Sequence, residues 1–336
     1  MANVTFTFGS GLNDSIFGKC QAPIANFIEK RGEAFEQASL IGEIFHKQKS
    51  THFGEMFTSM TAMDGFQPVG ENGSHPTDGM QESYSKLIQA ETWKDSFSIS
   101  REAIEDSKLM DLKKRPSAFI AAYHRTREHF AAALLGGALS LAKTTAFSGK
   151  NFDVTSSDNL SVFNKAHTSK LGKGTQCNVF SDAFSTDALG ALETVMQNFK
   201  GDNGEILDIS PTTIIIPNDY VLKQQVFEAI GADKDPDTSN NGFNYHYGRW
   251  NIIVHPYLNQ YISEGSKPWI LLDKVANETY DGGVWLDRTN LEVKSTIDED
   301  TDANVWRGYA RFTGGFNDWR PFAVGGVTGG NKLIGG

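Results

Sequence analysis

The side chains in this 336-residue chain best suited to acid–base work or metal ligation are its eight histidines: His46, His52, His75, His124, His129, His167, His246 and His255. Their spacing supports neither role. None forms an HExxH pair, and His124 and His129 lie five apart, off a shared helix face. The two cysteines, Cys20 and Cys177, fit neither a Cys/His zinc spacing nor a disulfide scaffold. Solvated or core-satisfied histidines are the simpler reading. Carboxylates gather at Gly201–Glu205 and at Asp298–Asp302, but neither run has the spaced oxygen set of a calcium loop, so both read as acidic turns. The glycine-rich run at residues 325–330 lacks the lysine and following helix of a phosphate-binding loop. Gly9-Ser10-Gly11 lacks the strand and spacing of a nucleophile elbow. No carboxylate pair and no Ser/His/Asp arrangement is visible by spacing. No catalytic residue, metal ligand or cofactor site is therefore assigned, and the chain is expected not to be an enzyme.

Composition points to a large folded protein. Hydrophobic residues are 39% and charged residues 21%, enough to bury a sizeable core, and the length suggests roughly two domains. No apolar run approaches the roughly 20 residues of a membrane helix. The N-terminus has neither the basic nor the apolar region of a signal peptide, so a cytoplasmic chain without membrane contact is expected. The charge balance is 31 basic against 41 acidic residues, net −10, with no basic stripe. Such a chain is not expected to grip nucleic acid, although it could enclose it. The 23 phenylalanines and 33 glycines suit a protein rich in sheets, turns and subunit contacts.

The elements that must position these residues follow from periodicity. Residues 1–14 read as an arm in which Phe6 and Phe8 alternate with polar residues, as in a short strand pairing with a neighbour. Residues 15–48 read as helical pieces broken at Gly18, Pro23, Gly32 and Gly42. Gly54–Met63 and Tyr84–Ser100 alternate like strands around a long, turn-rich mobile tip, which makes a long hairpin. With too few bulky residues for its own core, that hairpin must lie against a partner or another part of the chain. Ser100–Arg115 reads as a short helix capped by Ser100. Pro116 introduces the longest helix, Ser117–Leu141, with an apolar stripe from Phe119 to Leu141 and a polar face of His124, Arg125, Arg127 and Glu128. The small residues Ala131–Ala133, Gly136 and Gly137 invite close approach by another element. Residues 145–180 read as loop with short strands. Asp187–Phe199 reads as a helix capped by Ser185 or Asp187, Thr212–Ile216 as a buried strand, and Asn218–Ile230 as a helix with Val221, Leu222, Val226, Phe227 and Ile230 on one side. Trp250–Val254 and Trp269–Leu272 are expected as further buried strands, so about 180–285 reads as an α/β block. Leu291–Thr296, Val305–Phe312 and Phe322–Val327 are expected to close the fold as strands.

Three stretches carry a family resemblance. Tyr84-Ser-Lys-Leu-Ile-Gln-Ala-Glu-Thr-Trp-Lys-Asp-Ser-Phe-Ser-Ile-Ser-Arg-Glu-Ala-Ile-Glu-Asp106 resembles the return strand of an extended loop running into a helical region. Thr213-Ile-Ile-Ile-Pro-Asn-Asp-Tyr220 with Trp250–Pro256 resembles an axial domain. Asp300–Asp302 through Trp306-Arg-Gly-Tyr-Ala-Arg-Phe-Thr-Gly-Gly-Phe-Asn-Asp-Trp-Arg320 resembles closing strands. In that order they are similar to the major capsid proteins of tailed bacteriophages, whose fold is shared with the herpesvirus capsid floor. The resemblance spans most of the chain and rests on the ordered combination. It implies an α+β fold of the tailed-phage major capsid type: an N-terminal arm at 1–49, an extended β-hairpin loop at 50–100, a peripheral domain at 101–180 and 286–336 with a spine helix at 117–141, and an α/β axial domain at 181–285.

The implied function is structural. The chain would be the major head protein of a tailed bacteriophage, self-assembling into hexamers and pentamers of an icosahedral shell around double-stranded DNA that it does not read by sequence. Its partners would be copies of itself, a portal, decoration proteins and a separate scaffolding protein, since the loop begins near residue 50 and leaves little room for a fused scaffold. It would be located in the virion capsid and assembled in the bacterial host cytoplasm. Some members crosslink neighbours through a Lys and an Asn; neither is matched here. Subunit-interface candidates are Phe6, Phe8, Phe66, Trp93, Phe97, Trp306, Trp319 and Arg320, with Trp93 and Phe97 facing a neighbour in the same ring and Phe66 an adjacent capsomer. Other readings are a decoration or tail protein, usually shorter and more purely β, and an enzyme built on the α/β block, which would need a pocket of convergent polar groups.

Overall fold

The computed structural model describes residues 4–8, 28, 30–60, 68, 69, 71, 74, 75, 82–106, 114–172, 174–231 and 244–333. Phe66 and most of the expected 64–84 tip lie outside the described residues, as does Cys20.

Two sheets and one long helix organise the chain. The strands in sequence order are β1 (Val4–Phe8), β2 (His46–Lys49), β3 (Gly54–Met60), β4 (Glu82–Gln89), β5 (Glu91–Ile99), β6 (Thr144–Phe147), β7 (Lys150–Asp153), β8 (His167–Thr168), β9 (Thr175–Gln176), β10 (Thr213–Pro217), β11 (Asn251–His255), β12 (Trp269–Leu272), β13 (Gly283–Ile297), β14 (Asn304–Phe316) and β15 (Phe322–Gly325). The helices are α1 (residues 30–37), α2 (Ile41–Ile44), α3 (Arg101–Asp106), α4 (Lys114–Leu139), α5 (Thr186–Gln197), α6 (Tyr220–Gly231) and α7 (Lys274–Thr279). This is an α+β fold, as the resemblance implies.

The long sheet runs β1-β13-β14-β5, with β2 pairing a second stretch of β13. Strands β13 and β14 form an antiparallel ladder from Gly283↔Phe316 to Ile297↔Asn304. Their length fixes the rest, because the free edge of β13 must be satisfied along its whole run. Two short parallel strands cover most of it, β2 at Val284–Asp287 and β1 at Leu291–Ser295. The arm's strand thus pairs with its own chain, where the sequence suggested a neighbour. Residues 46–49, expected as the end of a helical stretch, are likewise drawn into the sheet.

The return strand of the hairpin also differs from expectation. It is not continuous over Tyr84–Ser100 but changes partner at Ala90. Before that point β4 pairs β3; after it β5 pairs the outer edge of β14. The Ala90 N–H donates to the Phe53 carbonyl, and Arg311 donates to the Ala90 carbonyl, so the crossover residue keeps both backbone partners.

The second sheet runs β11-β10-β12-β15. β10 and β11 are parallel, joined through α6, which is the crossover that parallel pairing requires. All five residues of β10 and all four of β12 are buried, as a β-branched, apolar run between covered faces predicts. β15, assigned from sequence to the peripheral segment, is instead the edge strand of this sheet, antiparallel to β12. Ser185 caps α5 by accepting from the Ala188 N–H at 3.1 Å, as expected. On α6, Leu222, Val226 and Ile230 are buried, but Val221 and Phe227, expected beside them, are exposed.

Helix α4 lies across the long sheet, and its two halves differ. From Phe130 to Leu139 it is buried on every side. Here Gly136 and Gly137 let neighbours touch the helix backbone: a Cβ at Gly136 would overlap Tyr261, and one at Gly137 would meet the Thr145 side chain at 2.5 Å. The first half was expected to show solvent a face of His124, Arg125, Arg127 and Glu128. Arg125 is exposed, but His124 and Arg127 are buried because α1 and β13 cover them. Below lies an aromatic cluster in which Trp285 and Phe312 stack at 5.5 Å, Trp93 and Phe312 at 4.9 Å, and Phe130 meets Trp285 at 5.8 Å.

Gly136→Ala tests the close approach. Helix propensity alone favours alanine by about 1 kcal/mol, whereas overpacking costs about 1–3 kcal/mol. The melting temperature, read by circular dichroism, should fall; a rise would show that Tyr261 does not sit against the helix.

Candidate assembly surface

The hairpin has two unlike faces, set by strand alternation. Glu55, Phe57 and Ser59 alternate toward the body with Lys86 and Ile88 opposite them. Phe57 and Ile88 pack with Val284 and Leu286 in a small cluster separate from the main core. Two polar pins flank it. Ser59 donates to the Asp318 carboxylate at 3.1 Å. Lys86 pairs with Asp153 at 3.1 Å and donates to the Thr155 hydroxyl and carbonyl. Burial pushes the Lys86 pKa down, and Asp153 opposes that shift. The hairpin expected to need a partner surface therefore finds one for its inner face within its own chain.

The outer face finds none among the described residues. Met56 and Leu87 stand directly opposite one another at 68% and 48% exposure, and Phe53 at the hairpin root is 63% exposed. A second apolar surface lies on α6, where Tyr220, Val221 and Phe227 are exposed, and Tyr245 and Tyr247 are exposed in the turn that precedes β11. Isolated apolar residues on a surface need no explanation, but grouped ones mark contact sites.

The hairpin is tied to the body through a buried ionic network. Arg320 pairs with Asp318 at 2.8 Å and Asp202 at 3.0 Å, and its Nε donates to the Lys200 carbonyl at 3.2 Å. Burial opposes the guanidinium charge, yet the two carboxylates outweigh it and raise the Arg320 pKa. Beside it Trp319 stacks on His167 at 4.2 Å, and His167 Nδ1 meets the Asp158 carboxylate at 2.6 Å. Burial alone would raise the Asp158 pKa, but the bond to His167 holds it below the usual range. The Arg320, Asp202, Asp318, His167 and Asp158 side chains each face another protein group.

A family model described as phage capsid protein matches residues 83–325. The chain belongs to this family. The match covers the second sheet, β5, β13 and β14 of the long sheet, α4 and the Arg320 network. No curated protein sequence matches the chain. Solved structures that it resembles include one from Mycobacterium phage Patience, at 12% identity over 98% of this chain and 94% of that one, with a TM-score of 0.49. Another, from Gordonia phage Cozz, is 14% identical over 86% of each chain, with a TM-score of 0.49. The capsid of Ralstonia phage GP4 is 11% identical over 82% of this chain and 84% of that one, with a TM-score of 0.48.

In this capsid family member the eight interface candidates fall into three groups. Phe6 and Phe8 lie in β1, on the edge of the long sheet. Phe66 is outside the described residues. The other five are engaged within the chain. Trp93 and Phe97 are half-buried, with the Trp93 indole donating to the Phe312 carbonyl at 3.0 Å and Phe97 stacking on Trp306 at 5.0 Å. Trp306, Trp319 and Arg320 are buried. Sequence reasoning did not single out Met56, Leu87 and Tyr220 as surface contacts. The alternation of the hairpin was legible, but which face the body covers depends on distant Val284 and Leu286.

Arg320→Met should leave Asp202 and Asp318 buried without a counter-charge. The expected loss is about 3–5 kcal/mol, read by denaturant unfolding of the soluble subunit. A loss below about 1 kcal/mol would mean that the network contributes little to the fold.

Proposed function

We propose that this chain is the major head protein of a tailed bacteriophage, forming hexamers and pentamers that close into an icosahedral shell around double-stranded DNA. The observation that carries the reading is the two-faced hairpin. Its inner face and root are fastened to the chain's own body, while its outer face offers Phe53, Met56 and Leu87. Such a face suits contact with a second copy, because heterologous contacts between identical chains generate closed rings. The exposed side of α6, with Tyr220 and Phe227, suits packing of the 181–285 block around a ring axis. The 64–84 tip with Phe66 would reach an adjacent capsomer, and Phe6 and Phe8 would lie near a subunit boundary.

The net charge of −10 supports enclosure of DNA without tight binding. A separate scaffolding protein, a portal and decoration proteins would complete the particle, assembled in the host cytoplasm. The division into an arm at 1–49, a loop at 50–100, a peripheral domain at 101–180 with 286–336, and an axial domain at 181–285 is part of this proposal, with β15 contributing its strand to the axial sheet.

The test is expression of the chain alone and with a scaffold, imaged by negative-stain electron microscopy. Closed shells, or rings of five and six, are expected. Open six-fold tubes would favour a tail component instead. Met56→Lys with Leu87→Glu, an opposite-charge cross-strand pair, should leave the soluble subunit's stability within about 0.5 kcal/mol, as for exposed sites, yet prevent shell formation. Normal shells from that variant, or from a chain lacking residues 64–84, would remove the hairpin from the assembly contact.

A further inference from the structure

Helix α1 packs on α4 around one imidazole. His124 stacks on Phe35 at 5.3 Å, its Nδ1 stands 4.0 Å from the Glu36 carboxylate, and its Nε2 is buried without a hydrogen-bond partner. The groups around it are nearly all charged. From α4 itself come Tyr123, in edge contact at 5.1 Å, and Arg127, with Glu128 on the next position. From α1 come Glu36 and, over the Phe35 ring at 5.5 Å, Arg31. From β2 comes Lys47, bonded to Glu36 at 2.5 Å, and from β13 comes Asp287, which holds Arg127 at 3.0 Å. The α1 end is finished by Ser39 Oγ and Leu40 N–H, which donate to Glu128 at 2.6 and 3.2 Å.

A neutral ring fits this position and a charged one does not. A second proton would sit on a buried nitrogen with no acceptor, beside a guanidinium already committed to Asp287. We propose that His124 is the acid-sensitive element of a latch: mild acid detaches α1 from α4 while the long sheet beneath stays folded.

The direction follows from linkage. Burial first, and then Arg127, lower the His124 pKa from 6.5 to about 4, with Glu36 opposing. An imidazole freed by detachment returns to the ordinary value. Attachment is therefore fully favourable above about pH 6.5 and is lost as the pH falls toward 4. The two carboxylates act elsewhere. Burial would raise the Glu36 pKa, but Arg127, Lys47 and His124 hold it below 4.5, so its loss comes at still lower pH. Burial raises the Glu128 pKa, so its protonation favours the attached state. His255 is also lowered to about 4, by burial and by His129, but it ends β11, near Tyr257, and not on α1 or its contacts. A variant at 124 separates the two.

The test is hydrogen exchange by mass spectrometry on the full-length soluble chain. Imidazole C2–H exchange of His124 should titrate well below the ordinary value of 6.5. Amide exchange of residues 30–40, corrected for the intrinsic rate, should rise about 20-fold between pH 7 and pH 5, while β13 and β14 stay protected. In His124→Phe, which keeps the ring stack and removes the titration, that rise should vanish. A His124 midpoint near 6.5 overturns the proposal in the unmodified chain, whether or not the variant folds. So does an equal rise in the two chains, or simultaneous loss of protection in α1 and the long sheet.

Discussion

The buried charge of Arg127 is the constraint to which the centre of the molecule conforms. A guanidinium that is 2% exposed is tolerable only when its donors and its flat faces are both occupied. Asp287 from β13 and the Tyr123 hydroxyl take its donors at 3.0 Å each, and Trp285, Phe312 and Tyr123 lie against its planar group. Burial opposes the charge, and these partners outweigh it. The arrangement fixes the position of α4 along β13 within a side chain's reach. The C-terminal half of the helix then falls where Gly136 and Gly137 can accept Tyr261 and Thr145, which connects the long sheet to the second one.

From that centre, structure becomes more local outward. The two long strands recruit every short strand near them, because an unpaired edge is costly when covered and prone to association when bare. β1, β2 and β5 are all stretches that would not hold a strand alone. The hairpin is one step further out. It is fastened by a four-residue apolar cluster and by Lys86 and Ser59, and leaves its apolar outer face uncovered. For a member of the phage capsid family this is a sensible division. The subunit folds on contacts within its own body, and the proposed association would draw on surface that folding leaves free.

Much of the framework was legible from sequence because it is encoded locally. The 26-residue helix with Pro116 in its first turn, the TIIIP strand, the Ser185 cap and the hairpin's alternation each follow from residue type and period within a few turns of chain. The order of those elements carried the family resemblance, and the family match agrees with it. What misled were local signals with distant answers. His124 and Arg127 have the spacing of a solvated face, yet α1 and β13 cover them. Other partners lay out of sequence range: Trp93 and Phe97 pack on Phe312 and Trp306, more than 200 residues along the chain.

The sequence by itself determined the long helix and its small-residue patch, the buried β-branched strand, the Ser185 cap and the hairpin's alternation. Only the tertiary structure decided which strand lies beside which, that the chain changes sheets at Ala90, that β15 serves the second sheet, and which hairpin face stays bare. The physical reason is the range of the interactions. Backbone propensity and capping act over a few residues, whereas strand pairing and burial of charge are settled between groups that the sequence places far apart.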